Sequence, residues 1–282
     1  MKIAYLGPPG TYSHQAAIQQ DPNALHVPQS SIGACFKAIN DGLVDYALVP
    51  FENSTNGQVV FTYDLFKEWY LNNDKLPSFN VVDEQFVSIH HNLITFANKI
   101  EDITHIYSHP QVWTQCRKFL SAHQLDNVMK VQCTDTSSTS HAVELVAKLD
   151  ESERKHSAAI ASSTASTVHN VPILNHNIED SVTNTTRFLC LGKKKELKGP
   201  LLHLLAFTLI KHDKHGSLCE VLNCFNIHNL NLHTITTRPL GNWKYAFFVE
   251  VWAESDELEK CLNDVKVYTE QLVEIGSFRR SE

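Results

Sequence analysis

Thr186 and Arg187 stand side by side in the run Asn184-Thr185-Thr186-Arg187-Phe188. Arg187 is the only arginine between Arg154 and Arg238, and the run Phe188-Leu189-Cys190-Leu191 that follows is apolar. A guanidinium at the mouth of a buried strand is suited to an anion, since its planar fork matches a carboxylate. The Thr186 hydroxyl can give or take a hydrogen bond beside it. Together they predict an anionic ligand. With a net charge of −7 on the chain, such a ligand needs local positive groups.

Other polar clusters also follow apolar runs. Glu52-Asn53-Ser54-Thr55-Asn56-Gly57 comes after the run 44–51, and Ser108-His109-Pro110-Gln111 after 103–107, with Gln115 one helical turn further on. The hydroxyl run Thr134 to Ser140 precedes a helix expected over 141–149. One N-cap needs one hydroxyl, so the surplus around Ser138 and Thr139 suggests a helix start that faces a ligand. Near the beginning, Gly7-Pro8-Pro9-Gly10 ends a short apolar run, and Thr11 and Ser13 open a helix. Strand, glycine loop and helix start can aim backbone N–H groups at an anion. Each cluster alone is also what an ordinary turn or cap requires.

The elements that must position these clusters alternate, strand then helix, from residue 1 to about 192. That alternation predicts parallel sheets, and polar loops at strand ends are where open α/β sheets bind ligands. The reading is of two α/β lobes with a cleft between them. Lobe one takes 1–77 and 174–192, and lobe two takes 78–173. Residues 193–200, basic and bounded by glycine, read as a linker. From 201 to 282 the order βαββαβ is that of the ferredoxin-like split unit.

Composition excludes several classes. No apolar run reaches the length of a membrane span, and the start reads as a first β-strand rather than a secretory signal. The acidic balance argues against nucleic acid as a partner. The seven cysteines are scattered and odd in number, which argues for reduced thiols and a cytoplasmic setting. The sixteen histidines include no HExxH arrangement and are read as solvated or internally satisfied, not as metal ligands.

Taken in order, the segments around Gly7–His14, Glu52-Asn53-Ser54 with Gly57, Ser108-His109-Pro110-Gln111 with Gln115-Cys116, and Thr186-Arg187-Phe188 resemble the prephenate dehydratases. The terminal unit resembles the ACT regulatory domain of that family. The resemblance covers nearly the whole chain. It implies a periplasmic-binding-protein-like catalytic domain over 1–192. The implied reaction is decarboxylating dehydration of prephenate to phenylpyruvate, without metal or cofactor. Thr186 would assist the leaving hydroxyl, with Arg187 and Glu52 also catalytic. Thr11, Ser13, Asn53, Ser54, Ser108, Gln115, Ser138, Thr139 and Phe188 would bind substrate.

The resemblance also implies that L-phenylalanine binds at Gly216, Ser217, Leu218, Asn231 and Leu232 between the subunits of a homodimer or homotetramer. Here the chain departs from the family: Thr236-Thr237-Arg238-Pro239 stands where Glu-Ser-Arg-Pro is common. Arogenate dehydratase is a neighbouring reading, and a non-catalytic amino-acid sensor is one from another class.

Overall fold

In the computed structural model, which describes residues 1–72, 75–126, 131–194, 196–211 and 214–281, lobe one begins with β1 (Lys2–Leu6), α1 (Tyr12–Gln20), β2 (Leu25–Gln29) and α2 (Ile32–Asn40). It continues with β3 (Tyr46–Asn53), the short β4 (Gly57–Gln58), α3 (Val60–Leu71) and β5 (Asn80–Ser88). β1 pairs in parallel with β2 and β3. β2 is not apparent in the sequence because it is short and carries Pro28. Proline is tolerated there because β2 is an edge strand and needs no outward N–H partner.

Lobe two holds β6 (Asn92–Thr95), a 3-10 turn at Ile100–Asp102, β7 (His105–Ser108), α4 (Pro110–Gln115), α5 (Arg117–Ala122) and β8 (Gln132–Asp135). It is completed by α6 (Thr139–Lys148), α7 (Glu151–Arg154), β9 (Ser157–Ala161), α8 (Ser163–His169) and β10 (Ile173–Asn175). Its sheet order is β10-β6-β9-β7-β8. The strand expected from Val128 lies partly outside the described residues.

The chain then returns to lobe one as β11 (Thr185–Gly192), which runs antiparallel between β3 and β5. Two expectations change here. The sheets are mixed, not parallel, because β11 enters from the other lobe and against the direction of β3. The lobe change falls at 89–91, not at 77, because β5 bonds to β11 along its whole length and β6 belongs to the second sheet.

The remaining elements are β12 (Leu201–Leu209), α9 (Ser217–Ile227), β13 (Leu232–Gly241), β14 (Lys244–Ala253), α10 (Ser255–Val265) and β15 (Thr269–Phe278). Their sheet order, β13-β14-β12-β15 with antiparallel neighbours, is the expected split unit. This unit does not hang free on its linker. β15 bridges to β5 at Gly276 and Val81, giving one ten-stranded sheet. A Cβ on Gly276 would lie 2.0 Å from the Val81 carbonyl oxygen, so only glycine permits that approach. One face of the C-terminal sheet shares a core with α3, where Tyr63, Phe66 and Tyr70 meet Leu204, Phe248 and Ile275. Its other face is covered by α9 and α10. Bidentate hydrogen bonds from Arg238 to Asp64, both 2.9 Å, tie β13 to α3.

The Gly7–Gly10 loop joins the lobes behind the cleft. Ser162 donates to the Gly10 carbonyl at 2.9 Å, and Ser140 donates to the Pro9 carbonyl. A Cβ on Gly10 would come within 2.5 Å of Ser140 Oγ, and its φ is +88°, so this position demands glycine. The Gly10 N–H donates to Nδ1 of His14 at 3.1 Å. That bond requires an unprotonated nitrogen.

Burial lowers the pKa of His14, His91 and His169. As pH falls below about 6.5, the unfolded chain takes up protons that these folded side chains resist, so stability falls. The urea midpoint is therefore expected to be lower at pH 5.5 than at pH 7.5. His14→Asn, which keeps an acceptor without a titrating proton, should lose less. An equal loss in both proteins would exclude His14 as a contributor.

Candidate active site

A cavity of about 270 Å³ lies between the lobes. The start of α1 contributes Thr11, Tyr12 and Ser13, α4 and its N-cap contribute His109, Gln111, Val112 and Gln115, and the start of α6 contributes Ser137, Ser138 and Thr139. Asn53 and Asn56 come from the end of β3 and the loop after it, and Thr186 comes from β11. The two crossovers between lobes supply Ile89 and His91 on one side and Asn184 on the other. Glu179 latches these crossovers together: it accepts from the His91 N–H at 2.9 Å and contacts His90 Nδ1 at 2.7 Å. Burial opposes ionisation of Glu179, but the hydrogen bonds from His90 and the His91 amide outweigh it and lower its pKa. A larger groove of about 760 Å³ runs along the linker and α10. It lacks this convergence of hydroxyls, amides and helix starts.

Among the described residues lining the cleft, none is Lys, Arg, Asp or Glu. Aligned backbone dipoles can supply positive potential there. α1 and α6 both open toward the cavity, capped by Thr11 and Ser138, whose hydroxyl oxygens accept from the N–H groups of His14 and His141. Each start offers unpaired N–H groups and a partial positive charge. The hydroxyl run is divided between tasks. Ser137, Ser138 and Thr139 face the cleft, whereas Thr136 donates to the Ser138 carbonyl and Ser140 to the Pro9 carbonyl.

Thr186 has a defined hydrogen-bond direction. Asn53 Oδ1 accepts the backbone N–H groups of Thr55 and Asn56 at 3.0 and 2.9 Å. That fixes the side-chain amide, so Nδ2 is the end that donates to Thr186 Oγ1 at 2.9 Å and to Asn184 Oδ1 at 2.8 Å. Because Thr186 accepts from Asn53, its own proton is free for a ligand. Across the cavity, Tyr12 Oη donates to the His90 carbonyl at 2.8 Å and lies 3.0 Å from His91 Nδ1. His91 Nε2 is 2.7 Å from Gln115 Oε1. Burial lowers the His91 pKa and raises that of Tyr12 well above its usual range, so the ring tends to be neutral and the phenol stays protonated.

Several expected site residues lie elsewhere. Successive side chains on a strand point to opposite faces, so Arg187 points away from the cleft that Thr186 faces. Its Nε donates to Glu84 at 2.7 Å, and Nη1 and Nη2 donate to Glu250 at 2.9 and 2.6 Å. Burial works against its charge, but the bonds to Glu250 and the attraction of both carboxylates prevail and raise its pKa. Glu52 lines a separate cavity of about 180 Å³ with Arg187 and Glu250. Ser54 is spent on the chain entering β11, donating to the Thr183 carbonyl and accepting the Thr185 N–H. Ser108 is fully buried and donates to the Ile160 carbonyl at 2.7 Å. Phe188 belongs to the core with Ile3 and Tyr5.

Thr11, Ser13, Asn53, Gln115, Ser138, Thr139 and Thr186 are brought together. Tyr12, His91, His109, Gln111, Ser137, Asn56 and Asn184 join them without having been expected. The adjacent His90-His91 pair was the available signal for His91, but it becomes informative only once the chain is seen to change lobes there.

In the C-terminal unit, Gly216 opens α9 in a left-handed conformation and Ser217 donates to the Lys211 carbonyl. Asn231 and Leu232 lie beyond the far end of that eleven-residue helix, about 16 Å away at 1.5 Å per residue. One copy of the chain does not gather these residues into one site. Among the described residues, no group of three or more His, Cys, Asp or Glu could hold a metal. No helix is long and apolar enough to cross a membrane.

Two α/β lobes, paired crossovers and a polar, uncharged cleft define a two-lobed ligand-binding architecture, in which the ligand lies between the lobes. The chain belongs to the prephenate dehydratase family, whose model matches residues 3–196. A probable prephenate dehydratase of Saccharomyces cerevisiae is 37% identical, with 100% of this chain and 97% of the relative covered. A prephenate dehydratase from Arthrobacter aurescens, solved in complex with L-Phe, superposes with a TM-score of 0.83 at 24% identity, covering 99% of this chain and 90% of its own. GqqA, a quorum quenching acylase, superposes with a TM-score of 0.85, also at 24% identity, covering 100% and 98%. These two structural likenesses establish the fold, which does not by itself fix chemistry.

Proposed function

We propose that the cleft converts prephenate to phenylpyruvate, carbon dioxide and water, a step of L-phenylalanine biosynthesis. The observation that carries this reading is the direction of the Asn53–Thr186 hydrogen bond, together with membership of the family. In the reaction the bond from the ring to its carboxylate breaks, and its electron pair enters the ring. The π electrons shift toward an aromatic sextet, and the C–O bond to the ring hydroxyl breaks. The departing oxygen gathers negative charge and finally takes up a proton.

Thr186, oriented by Asn53, donates a hydrogen bond that strengthens as that charge develops. The starts of α1 and α6 hold the carboxylates with backbone N–H groups. Gln115, His91 and Tyr12 orient the ring from the other side. Assay of the purified protein with prephenate and with arogenate tests this: turnover of prephenate is expected, and preference for arogenate or inertness toward both overturns it.

The C-terminal unit reads as an ACT domain that senses L-phenylalanine. Supporting this are its fold, the glycine opening of α9, and the fold relative solved with L-Phe. Because Gly216 and Asn231 are apart within one copy, the site needs a second subunit. The exposed Ile235, Trp243 and Tyr245 on the outer hairpin offer an apolar contact for it. A homodimer or homotetramer acting in the cytoplasm follows from this reading. L-Phenylalanine is expected to lower turnover and raise the melting temperature. Asn231→Ala should weaken both effects without changing basal turnover. Absence of either effect in the unaltered protein would discard the sensor assignment.

A further inference from the structure

Thr186 is held from both sides by groups that trace back to the C-terminal unit. On β11, its neighbour Arg187 is clamped by Glu250 of β14 and Glu84 of β5. Glu250 also accepts from Thr234 of β13 at 2.9 Å, and Glu84 accepts the Ser281 N–H at 2.9 Å. Glu84 and Glu250 are 0% and 1% exposed, so this ion cluster is buried and directional. The Arg187 guanidinium also lies 5.4 Å from the centroid of the Phe51 ring. Phe51 falls where the β3–β11 register shifts, between the pairs Arg187–Glu52 and Phe188–Pro50. A bulge there re-aims the side chains around it.

The second route runs through Gln58. Its side chain donates to Thr236 of β13, and its backbone pairs with Glu52, one residue before Asn53. Thr234 and Thr236 lie on the same face of β13, so one strand of the C-terminal unit touches both routes to Thr186.

We infer that Glu250 and Arg187 are positioning residues for the reaction: the C-terminal unit, acting through Glu250, sets the strand geometry that aims the Thr186 hydroxyl into the cleft. The inference rests on Thr186 being the donor to the leaving oxygen. The Thr-Arg pair is then a joint, its threonine on the substrate side and its arginine on the side of the second domain. The departure from Glu-Ser-Arg-Pro also takes a physical meaning. Thr236, which stands where the family has Glu, accepts from Gln58 of lobe one, so that position bears on the coupling of the domains.

The test compares two interdomain contacts. Glu250→Gln keeps the size of the side chain but removes its charge and turns one of the two oxygens that accept from Arg187 into a donor. Asp64→Asn weakens the Arg238–Asp64 pair, which touches α3 but neither β3 nor β11. With prephenate, Glu250→Gln is expected to lower kcat by about 10- to 100-fold with little change in KM, the scale of a misplaced reacting group. Asp64→Asn should leave kcat close to that of the unaltered protein. Adding Glu250→Gln to Thr186→Ala should cost nothing further, because residues acting through one group are not additive.

Equal losses from Glu250→Gln and Asp64→Asn, or a full extra loss in the double variant, overturn the inference. Hydrogen exchange of peptides covering 183–191 reads the same coupling without substrate. Faster exchange is expected in Glu250→Gln alone, and unchanged exchange overturns the inference by itself. If exchange responds as expected but the unaltered protein ignores prephenate, the positioning link stands and the assigned reaction falls.

Discussion

Replacing Thr186 by alanine should lower kcat for prephenate by about 100- to 1,000-fold, the loss expected for one preorganised donor to a developing oxyanion, while KM changes little. The sharper version alters Asn53. Asn53→Asp keeps the acceptor for the Thr55 and Asn56 amides but turns an acceptor toward Thr186. The threonine proton is then drawn to the carboxylate and away from the substrate. Turnover should fall about as far as in Thr186→Ala, although the hydroxyl is still present. Steady-state kinetics on Asn53→Asp, Thr186→Ala and Thr186→Ser would check this. Near-normal turnover in Asn53→Asp would show that the direction of this hydrogen bond is immaterial.

The largest loss of stability is expected from Arg187→Met. The substitution leaves Glu84 and Glu250 buried without their shared cation, and breaking a buried ion pair from one side costs about 3–5 kcal/mol. Urea unfolding of the full chain measures it. The triple variant Arg187→Met, Glu84→Gln, Glu250→Gln should recover part of the loss, because the penalty lies in the stranded charges rather than in the missing side chain. A single-variant loss below about 1 kcal/mol, the scale of an exposed ion pair, would mean that water reaches the cluster.

These residues show what the sequence could and could not convey. The polar loops after β1, β3, β7 and β8 were legible because glycine, proline and crowded hydroxyls interrupt apolar runs for definite physical reasons. Four of the segments that carry the family resemblance all lie at or near the cleft. Facing was not legible. Glu52-Asn53-Ser54 and Thr186-Arg187-Phe188 read as contiguous blocks, yet a strand sends neighbours to opposite faces. The bulge at Phe51 settles which residue faces the cleft, and it leaves no mark in composition.

The partners of Arg187 were equally hidden. Glu84 lies 103 residues earlier and Glu250 63 residues later, so an arginine that looked like an anion clamp was already taken. β5 was misplaced because its mixed pattern follows a proline-ended loop, and only its pairing with β11 assigns it to the first sheet.

That no Lys, Arg, Asp or Glu stands among the described residues lining the cleft bears on how a catalytic cycle ends. Prephenate enters with two carboxylates and phenylpyruvate leaves with one, the other having escaped as carbon dioxide. A site that, on the proposed reading, grips anions by helix dipoles and hydroxyls loses much of its hold once one of them is gone, and no lysine or arginine among its described lining residues retains the monoanion. Product departure would then be quick relative to chemistry, and phenylpyruvate a weak inhibitor.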